Sequence, residues 1–361
     1  MTSRREFLYS VSAMAATSVV EPAAMITKRT TKKSYGIAYT SFPIRMRQAR
    51  EAAGNPNNRV PAIPAEKFID LCQSFGADGV QMDFSQLTAT GADYLKRIRA
   101  QLESKGMFME LAVRAAALEN PEAFANIAAA AHQLGVSILR VACLSGRRYE
   151  DFHEMSKWKE FATRWQTTLE KAEPMLKQHK LRVGVENHKD WLADEQVAIL
   201  KKISSPYLGA CVDFGNNMAL LEDSLEVAGK LAPYAVTTHL KDMAVRPYDE
   251  GFELSEVALG DGITPLAKII STLRKSRPDI HICLEMITRD PLKVPYKTDH
   301  YWVTYDRRDE SRIRKFEDGP LKRSSAKALP RVTGLSAAQA LAFEDENLRR
   351  SAEYAKKTLK L

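Results

Sequence analysis

Three carboxylates and one imidazole stand at the ends of short apolar runs in the second half of the chain. They are Glu186, Asp213, His239 and Glu285. Carboxylate oxygens with one ring nitrogen suit a hard or borderline divalent cation such as Mn²⁺, Mg²⁺, Co²⁺ or Zn²⁺. They could form one metal site only if the fold brings the four side chains together, so the elements that carry them decide the chemistry.

The chain around these residues alternates candidate strands and helices. Eight strands are predicted, over residues 35–40, 79–84, 107–113, 136–143, 181–186, 208–213, 235–239 and 280–285. Amphipathic helical patterns separate the later strands, and an irregular polar stretch follows the first. Parallel strands need crossover connections of about a dozen residues, and eight such units in ~250 residues predict an α/β protein with a (β/α)₈ TIM barrel. The alternative, a doubly wound sheet, lacks its glycine-rich phosphate turn after strand one.

Strand parity places the candidate ligands on the inner wall of the barrel. Alternate residues of a barrel strand point inward, and Arg182, Gly184 and Glu186 share one parity. Each candidate ligand ends its strand, at the face where barrel enzymes carry their chemistry. Taken alone, each could instead cap the next helix. Glu110 and Arg140 also have inward parity, and a buried ion pair between them is expected, with substrate binding as the alternative.

The chain divides into four segments by composition. Residues 1–27 resemble a twin-arginine signal peptide, residues 28–34 form a basic linker, residues 35–305 form the barrel, and residues 306–361 form a partly helical extension. The extension could wrap the barrel or meet a second subunit in a homo-oligomer. Aromatic residues in 294–308 could cover the site as a lid or fix the extension to the barrel wall.

The first residues predict export from the cytoplasm. Arg4 and Arg5 precede Phe7 and Leu8, and a modestly apolar stretch follows. This pattern is typical of substrates of the twin-arginine (Tat) machinery, which gives a periplasmic or otherwise exported location. No stretch approaches the ~20 apolar residues of a membrane helix, so no stable membrane span is expected.

The net charge of +8 is concentrated outside the predicted barrel. The linker contributes +4 and residues 306–361 contribute +5, which leaves about −1 for residues 34–305. A nucleic-acid enzyme would be expected to line its groove with Lys and Arg. The charge pattern therefore favours a small-molecule substrate over nucleic acid. The four cysteines have no zinc-site spacing.

The strand-end motifs resemble those of the xylose-isomerase-like barrel superfamily, in its branch of sugar phosphate isomerases and epimerases. The resemblance covers residues ~35 to ~290 and rests on four motifs: Val185-Glu186-Asn187-His188, Cys211-Val212-Asp213-Phe214-Gly215-Asn216, His239-Leu240-Lys241-Asp242 and Leu284-Glu285. It implies that Glu186, Asp213, His239 and Glu285 bind one divalent metal, often Mn²⁺. It also implies that Glu186 and Glu285 are catalytic and flank the reacting carbon.

Four further residues are candidates for substrate binding. Asn216 stands where relatives often carry His, and Lys241 lies in a His-x-Lys-Asp pattern whose Lys can reach substrate oxygens. His188 shares parity with Glu186, and Arg289 follows strand eight. Loop stabilisation is the alternative for His188, and ordinary surface charge is the alternative for Arg289.

The expected activity is a metal-dependent sugar isomerase or epimerase that works through an enediolate. A Lewis acid stabilises the enediolate while carboxylates remove and return a proton. Because an exported enzyme would meet few sugar phosphates, a free sugar or keto-glycoside is the preferred substrate. A 3-keto-glycoside lyase or hydratase on the same site is the alternative. An apurinic-endonuclease-like enzyme and a non-catalytic sugar-binding barrel are less favoured.

Overall fold

Eight parallel strands close into a barrel in the computed structural model, which describes residues 34–54 and 62–361. These residues belong to one compact unit, Lys33–Leu361. The predicted signal segment and residues 28–33 of the linker lie outside them. The barrel strands are β1 Tyr35–Ala38, β2 Gly79–Asp83, β3 Phe108–Ala112, β4 Ile138–Val141, β5 Arg182–Glu186, β6 Leu208–Asp213, β7 Ala235–Leu240 and β10 Ile282–Leu284. Their order around the barrel is β1-β10-β7-β6-β5-β4-β3-β2.

Helices surround this barrel and continue beyond it, which confirms the predicted (β/α)₈ fold with a C-terminal helical extension. They are α1 Pro43–Ala52, α2 Ala65–Ser74, α3 Ala92–Lys105, α4 Pro121–Leu134, α5 Arg148–Asp151, α6 Met155–His179, α7 Ala193–Ile203, α8 Ser224–Leu231, α9 Leu266–Ser276, α10 Asp299–Trp302, α11 Glu310–Asp318 and α12 Ala337–Lys357. Among the described residues, no helix is both long enough and apolar enough to cross a membrane.

The lower barrel interior is closed by an aromatic pair. The Phe108 ring stacks on His281 with ring centroids 3.7 Å apart. A Cβ at Gly79 would lie 2.4 Å from the Phe108 ring, so glycine is needed there to admit it. This pair fills the N-terminal end of the interior, opposite the carboxyl ends of the strands where barrel enzymes carry their chemistry.

A three-stranded antiparallel sheet was not predicted. It comprises β8 Asp242–Tyr248, β9 Gly251–Val257 and β11 Leu292–Val294, in the order β11-β9-β8. Strands β8 and β9 form a hairpin. The Asp242 carboxylate at the start of β8 accepts hydrogen bonds from the backbone N–H groups of Met243, Gly260, Gly262 and Thr264, so it holds the segment after β9 close to the end of β7. The hairpin places the end of β9 beside the carboxyl ends of the barrel strands.

The stretch after strand one is helical, so the prediction of an irregular stretch there was wrong for residues 43–52. Helix α1 begins with Pro43 and buries Ile44 and Met46, while half of its ten residues are polar or charged. Its first turn is capped by a distant residue, because the Glu344 carboxylate of α12 accepts the N–H groups of Ile44 and Arg45 at 2.7 and 3.1 Å. Local periodicity could not show this helix, since the carboxylate that accepts its first N–H groups belongs to a residue 300 positions away.

The aromatic stretch packs into a buried cluster that joins the extension to the rest of the barrel unit. Tyr296, Tyr301 and Trp302 are buried in a cluster with residues of β8, β9 and α11. The buried Arg148 guanidinium holds the end of the stretch. It donates to Thr304 and lies 4.2 Å from the Tyr305 ring centroid. Helix α12 likewise packs one face, including Leu348 and Ala352, into the main core.

Candidate metal centre

The four predicted ligands lie on, or directly after, four adjacent barrel strands. In the parallel register, Asp213 pairs with His239, His239 pairs with Cys283, and Glu186 pairs with Cys211. Glu285 directly follows β10, and its N–H donates to the Leu240 carbonyl of β7 at 2.9 Å. Strand parity and register therefore bring these side chains to the carboxyl end of the interior, where Glu186, Asp213, His239 and Glu285 are all at most 3% exposed.

A tight turn after β6 fixes one Asp213 oxygen and leaves the other free. Asp213 Oδ1 accepts the N–H groups of Gly215 and Asn216, each at 2.8 Å. The backbone N–H of Asp213 donates to Asn187 Oδ1, which ties the ends of β5 and β6 together. A Cβ at Gly215 would lie 2.4 Å from a Met243 side-chain atom, so glycine allows this close turn. Asp213 Oδ2 is therefore presented to the interior.

A relay below the cluster orients the ring of His239. His239 Nε2 lies 2.6 Å from Gln81 Oε1, and Gln81 Nε2 donates to Glu110 Oε2. An amide oxygen can only accept, so this contact assigns the proton to Nε2 and leaves the lone pair on Nδ1. Glu110 in turn lies within hydrogen-bond distance of Thr237 and His281. Ligand histidines are commonly oriented by a partner of this kind.

Three carboxylates surround His239 Nδ1. The nearest carboxylate oxygens of Glu186, Asp213 and Glu285 lie 3.4, 3.7 and 3.3 Å from it. Burial alone would lower the pKa of His239, but the surrounding negative charges raise it well above its usual value. Binding of a cation would therefore displace a proton from this ring.

The cluster also contains buried atoms without hydrogen bonds. Asp213 Oδ2, His239 Nδ1 and Glu285 Oε2 make none among the described residues. Lys241 Nζ lies 3.2 Å from this Asp213 oxygen and 2.5 Å from this Glu285 oxygen, without hydrogen-bond geometry to either. These three buried atoms therefore lack hydrogen-bond partners, and three oxygen ligands with one nitrogen fit a divalent cation.

Glu186 is held at both oxygens. Arg140 donates to its Oε2 through Nε, at 2.6 Å, and also through Nη2. Asn216 Nδ2 donates to Glu186 Oε1 at 2.8 Å. The expected pair between Glu110 and Arg140 was wrong, because Arg140 lies level with Ala112, beyond Glu110 along the barrel axis. Burial raises the pKa of Glu186, but Arg140 and His239 outweigh it and hold this pKa well below its usual value.

Hydroxyl groups from the end of β1 position Glu285. Thr40 Oγ1 donates to Glu285 Oε1 at 2.6 Å. Ser41 Oγ donates to the Leu284 carbonyl and accepts the Met286 N–H, so it brackets Glu285 from both sides. Burial opposes ionisation, but the charges of His239 and Lys241 keep the pKa of Glu285 low. The sequence signal was a pair of hydroxyl residues at the C-terminal end of strand one.

A second metal-ligand combination would use Cys211 with Glu186 and His239. Cys211 lies one layer below Asp213 on β6. Burial raises the pKa of its thiol to about 11, which keeps it in the protonated form that binds metals poorly. The set with Asp213 and Glu285 is therefore the better candidate.

The four predicted substrate-binding residues lie around the cluster. Asn216 and Lys241 are buried within it, and Asn216 Oδ1 accepts from Lys241 Nζ at 3.2 Å. His188 is half-buried, with Nδ1 unpaired among the described residues, and burial lowers the pKa of its ring. Arg289 forms a two-point ion pair with the buried Glu256 of β9. Their roles toward substrate stay predictions.

Two charged residues of the site were not predicted. Lys189 is buried three residues after Glu186, and its Nζ donates to Asn216 Oδ1 at 2.5 Å. Glu256 lies between Arg289 and Lys241, at 3.8 Å from Lys241 Nζ. Sequence alone could not place Glu256, because the hairpin that carries it was not predicted. For Lys189 the signal was a run of polar residues directly after strand five.

A separate cavity of about 870 Å³ lies outside the barrel, where Leu118, Arg164 and His179 contribute to its lining. None of its lining residues belongs to the cluster. The cluster combines ligand chemistry with unpaired buried atoms, so it is the stronger candidate for the functional site.

Fold and site together define a (β/α)₈ barrel protein with a candidate divalent-metal centre at the carboxyl ends of its strands. Residues 69–305 match the xylose isomerase-like TIM barrel family, and the chain belongs to that family. Over 233 residues the chain is 26% identical to a 3-oxo-isoapionate decarboxylase of Pectobacterium atrosepticum. The match covers 63% of this chain and 80% of that protein.

Two solved structures illustrate the same fold. One is a D-psicose 3-epimerase determined in the presence of D-fructose, with 13% identity, a TM-score of 0.58 and coverage of 90% of this chain and 99% of that one. The other is a xylose isomerase-like TIM barrel protein from Mycobacterium smegmatis in complex with magnesium. It has 15% identity and a TM-score of 0.50, and the match covers 79% of this chain and 97% of that one.

Proposed function

We propose that this protein is a divalent-metal-dependent isomerase or epimerase that acts on a keto or hydroxy sugar through an enediolate. The proposal rests on one observation above all. Three carboxylates and one correctly oriented imidazole converge in a buried site that leaves three of their atoms without hydrogen bonds. A divalent ion held there would act as a Lewis acid that acidifies the carbon beside a carbonyl group.

Glu186 and Glu285 are assigned the proton transfers. Their carboxylates approach His239 Nδ1 at 3.4 and 3.3 Å from different strands, so they can face a substrate from two sides. Both carry lowered pKa values, which makes them weak bases. Proton removal therefore depends on a substrate that has been made more acidic. Return to the neighbouring carbon gives isomerisation, and return to the opposite face of the same carbon gives epimerisation.

A second candidate is loss of carbon dioxide from a 3-keto acid, which the relative from Pectobacterium supports by its name. The bond to the carboxylate carbon would break, its electron pair would remain on the carbon beside the carbonyl, and that carbon would then take up a proton. No base is needed, because the electron pair is delocalised onto the carbonyl oxygen as an enolate, which is an enediolate where that carbon carries a hydroxyl group. Expulsion of a neighbouring oxygen substituent, as in a 3-keto-glycoside lyase, would also start from this intermediate.

Solvent exchange tests the proposal. Metal-loaded protein is incubated in D₂O with keto sugars and keto sugar acids, and the products are followed by NMR and mass spectrometry. Isomerisation or epimerisation predicts deuterium at one sugar carbon. Decarboxylation predicts one carbon dioxide per turnover, and lyase activity predicts an unsaturated sugar. Glu285→Gln should abolish exchange, whereas Glu250→Gln, at an exposed turn, should not. Absence of metal-dependent exchange or turnover with every substrate would contradict the proposal.

We also propose Mn²⁺ as the ion and export by the twin-arginine route. The mixed oxygen and nitrogen ligand set supports Mn²⁺, and reconstitution with each of Mn²⁺, Mg²⁺, Co²⁺ and Zn²⁺ would rank the ions by activity. The Arg4-Arg5 pair supports export. A reporter fused to residues 1–27 should leave the cytoplasm, and replacement of both arginines by lysine should retain it there. Equal export of both fusions would contradict the assignment.

A further inference from the structure

Lys189 is a buried cation without a matching anion. Its side chain reaches the border of the candidate metal centre, and the residue is 2% exposed. Its Nζ donates to Asn216 Oδ1 at 2.5 Å, and it forms no ion pair within the part of the chain that the structure describes. Burial of an ammonium group is costly unless a counter-charge compensates it. A neutral amide supplies no such charge.

A second ammonium group shares the same amide oxygen. Lys241 Nζ lies 3.2 Å from Asn216 Oδ1, and the other end of this amide donates to Glu186. Asn216 therefore holds two lysines side by side, next to a candidate metal ligand. Because both ammonium groups bond to one atom, they are close enough to bind the two oxygens of a single carboxylate.

The charge of the site also favours an anionic ligand. Four carboxylates stand in it or beside it: Glu186, Asp213, Glu256 and Glu285. Four basic side chains face them: Arg140, Lys189, Lys241 and Arg289. With His239 neutral as a ligand, a bound divalent ion would leave two positive charges in excess. Transfer of a proton from the substrate to Glu186 or Glu285 leaves this sum unchanged, so an anionic group on the substrate is needed to offset the excess.

We infer that Lys189 and Lys241 form a carboxylate-binding subsite, and that the substrate is a keto sugar acid rather than a neutral sugar. This inference rests on the proposed function, since it assigns the substrate of the same site. Ion pairs stabilise the carboxylate itself, so the subsite would retain this group during the reaction. A retained carboxylate fits isomerisation or epimerisation better than loss of carbon dioxide.

A matched pair of ligands tests the subsite. 2-Keto-D-gluconate differs from D-fructose by a carboxylate in place of one hydroxymethyl group, and D-fructose 6-phosphate supplies a different anion. Calorimetric titration at pH 6.5 measures the affinity of each for the Mn²⁺-loaded protein. Lys189→Met removes the charge, Lys189→Gln keeps a polar side chain, and Lys201→Met removes an exposed lysine of α7 as the control.

We expect the keto acid to bind about 10- to 100-fold more tightly than D-fructose to the wild-type protein. Both Lys189 variants should lose most of this preference while they keep the metal, and Lys201→Met should keep the preference. Equal or undetectable binding of the two ligands by the wild type would overturn the inference. The inference would also be overturned if Lys189→Met kept the preference. It would likewise be overturned if binding of D-fructose 6-phosphate depended on Lys189 as strongly as binding of the keto acid does.

Failure of the subsite and failure of the proposed function give different results. Deuterium exchange from D₂O that does not depend on Lys189, together with equal affinities, would leave the enediolate function intact and remove the subsite. Binding that depends on Lys189, with no exchange or turnover for any substrate, would leave the subsite and contradict the function.

Discussion

Replacement of Lys189 by Met should stabilise the metal-free protein, and by an amount that depends on pH. Lys189 is buried among the charges of Lys241 and Arg289, while Glu256 and Asp213 partly oppose them. Burial, with the two neighbouring cations, lowers the pKa of Lys189 from 10.5 to about 7. Methionine has a similar length and no charge, so it can fill the same space without the electrostatic cost.

The sign and size of the effect follow from proton linkage. Between about pH 7 and pH 10.5 the unfolded chain keeps a proton on this lysine that the folded chain has lost, so the stability of the wild type rises with pH. The electrostatic cost is greatest below about pH 7, where both states are protonated. At about 1.4 kcal/mol per pKa unit, this group alone should add roughly 2 to 3 kcal/mol of stability to the wild type between pH 6 and pH 9.

Urea unfolding with a chelator present, at pH 6 and at pH 9, measures this difference. Lys189→Met should be more stable than the wild type at pH 6, and its advantage should shrink by roughly 2 to 3 kcal/mol at pH 9. The exposed Lys201→Met control should show no such change. The reasoning is refuted if the difference between Lys189→Met and the wild type is the same at both pH values.

Two further substitutions test the supports of the site and of the fold. Gln81→Leu removes the acceptor that orients His239, and we expect affinity for Mn²⁺ to fall about 10- to 100-fold in titrations. An unchanged dissociation constant would contradict the assigned ring orientation. Glu344→Ala removes the cap of α1, and the free energy of unfolding should fall by about 1 to 2 kcal/mol. Glu353→Ala, at an exposed position of α12, the helix that carries Glu344, should cost less than about 0.5 kcal/mol. Equal losses of stability in the two variants would argue against the cap.

The barrel and the candidate ligands were predictable because both depend on local patterns. Alternation of strands and helices indicates a parallel barrel, and a period of two decides which strand residues face inward. Asp213 and His239 needed only the ends of their own strands to be placed. The same reasoning identified Arg140 as an inward residue but gave it the wrong partner. Parity predicts the side of the sheet to which a side chain points, whereas its position along the barrel axis also depends on the register between strands.

The remaining charges of the site were not predictable, because they depend on long-range packing. Glu256 reaches Lys241 only because an antiparallel hairpin folds back over the end of β7, and the apolar pattern of that segment was not recognised as strands. Lys189 lies in a loop, where no periodicity fixes the direction of a side chain. Helix α1 has a polar sequence, and the carboxylate that caps it belongs to the last helix of the chain.

Metal analysis tests the central claim, that Glu186, Asp213, His239 and Glu285 hold one divalent ion. Wild-type protein, the double variant Asp213→Asn/His239→Gln and the exposed control Asp93→Asn are stripped with chelator, loaded with Mn²⁺, desalted and measured by mass spectrometry of the metal. Circular dichroism confirms that each variant is folded. We predict about one ion per chain for the wild type and the control, and almost none for the double variant. Full metal content in the folded double variant would contradict the account.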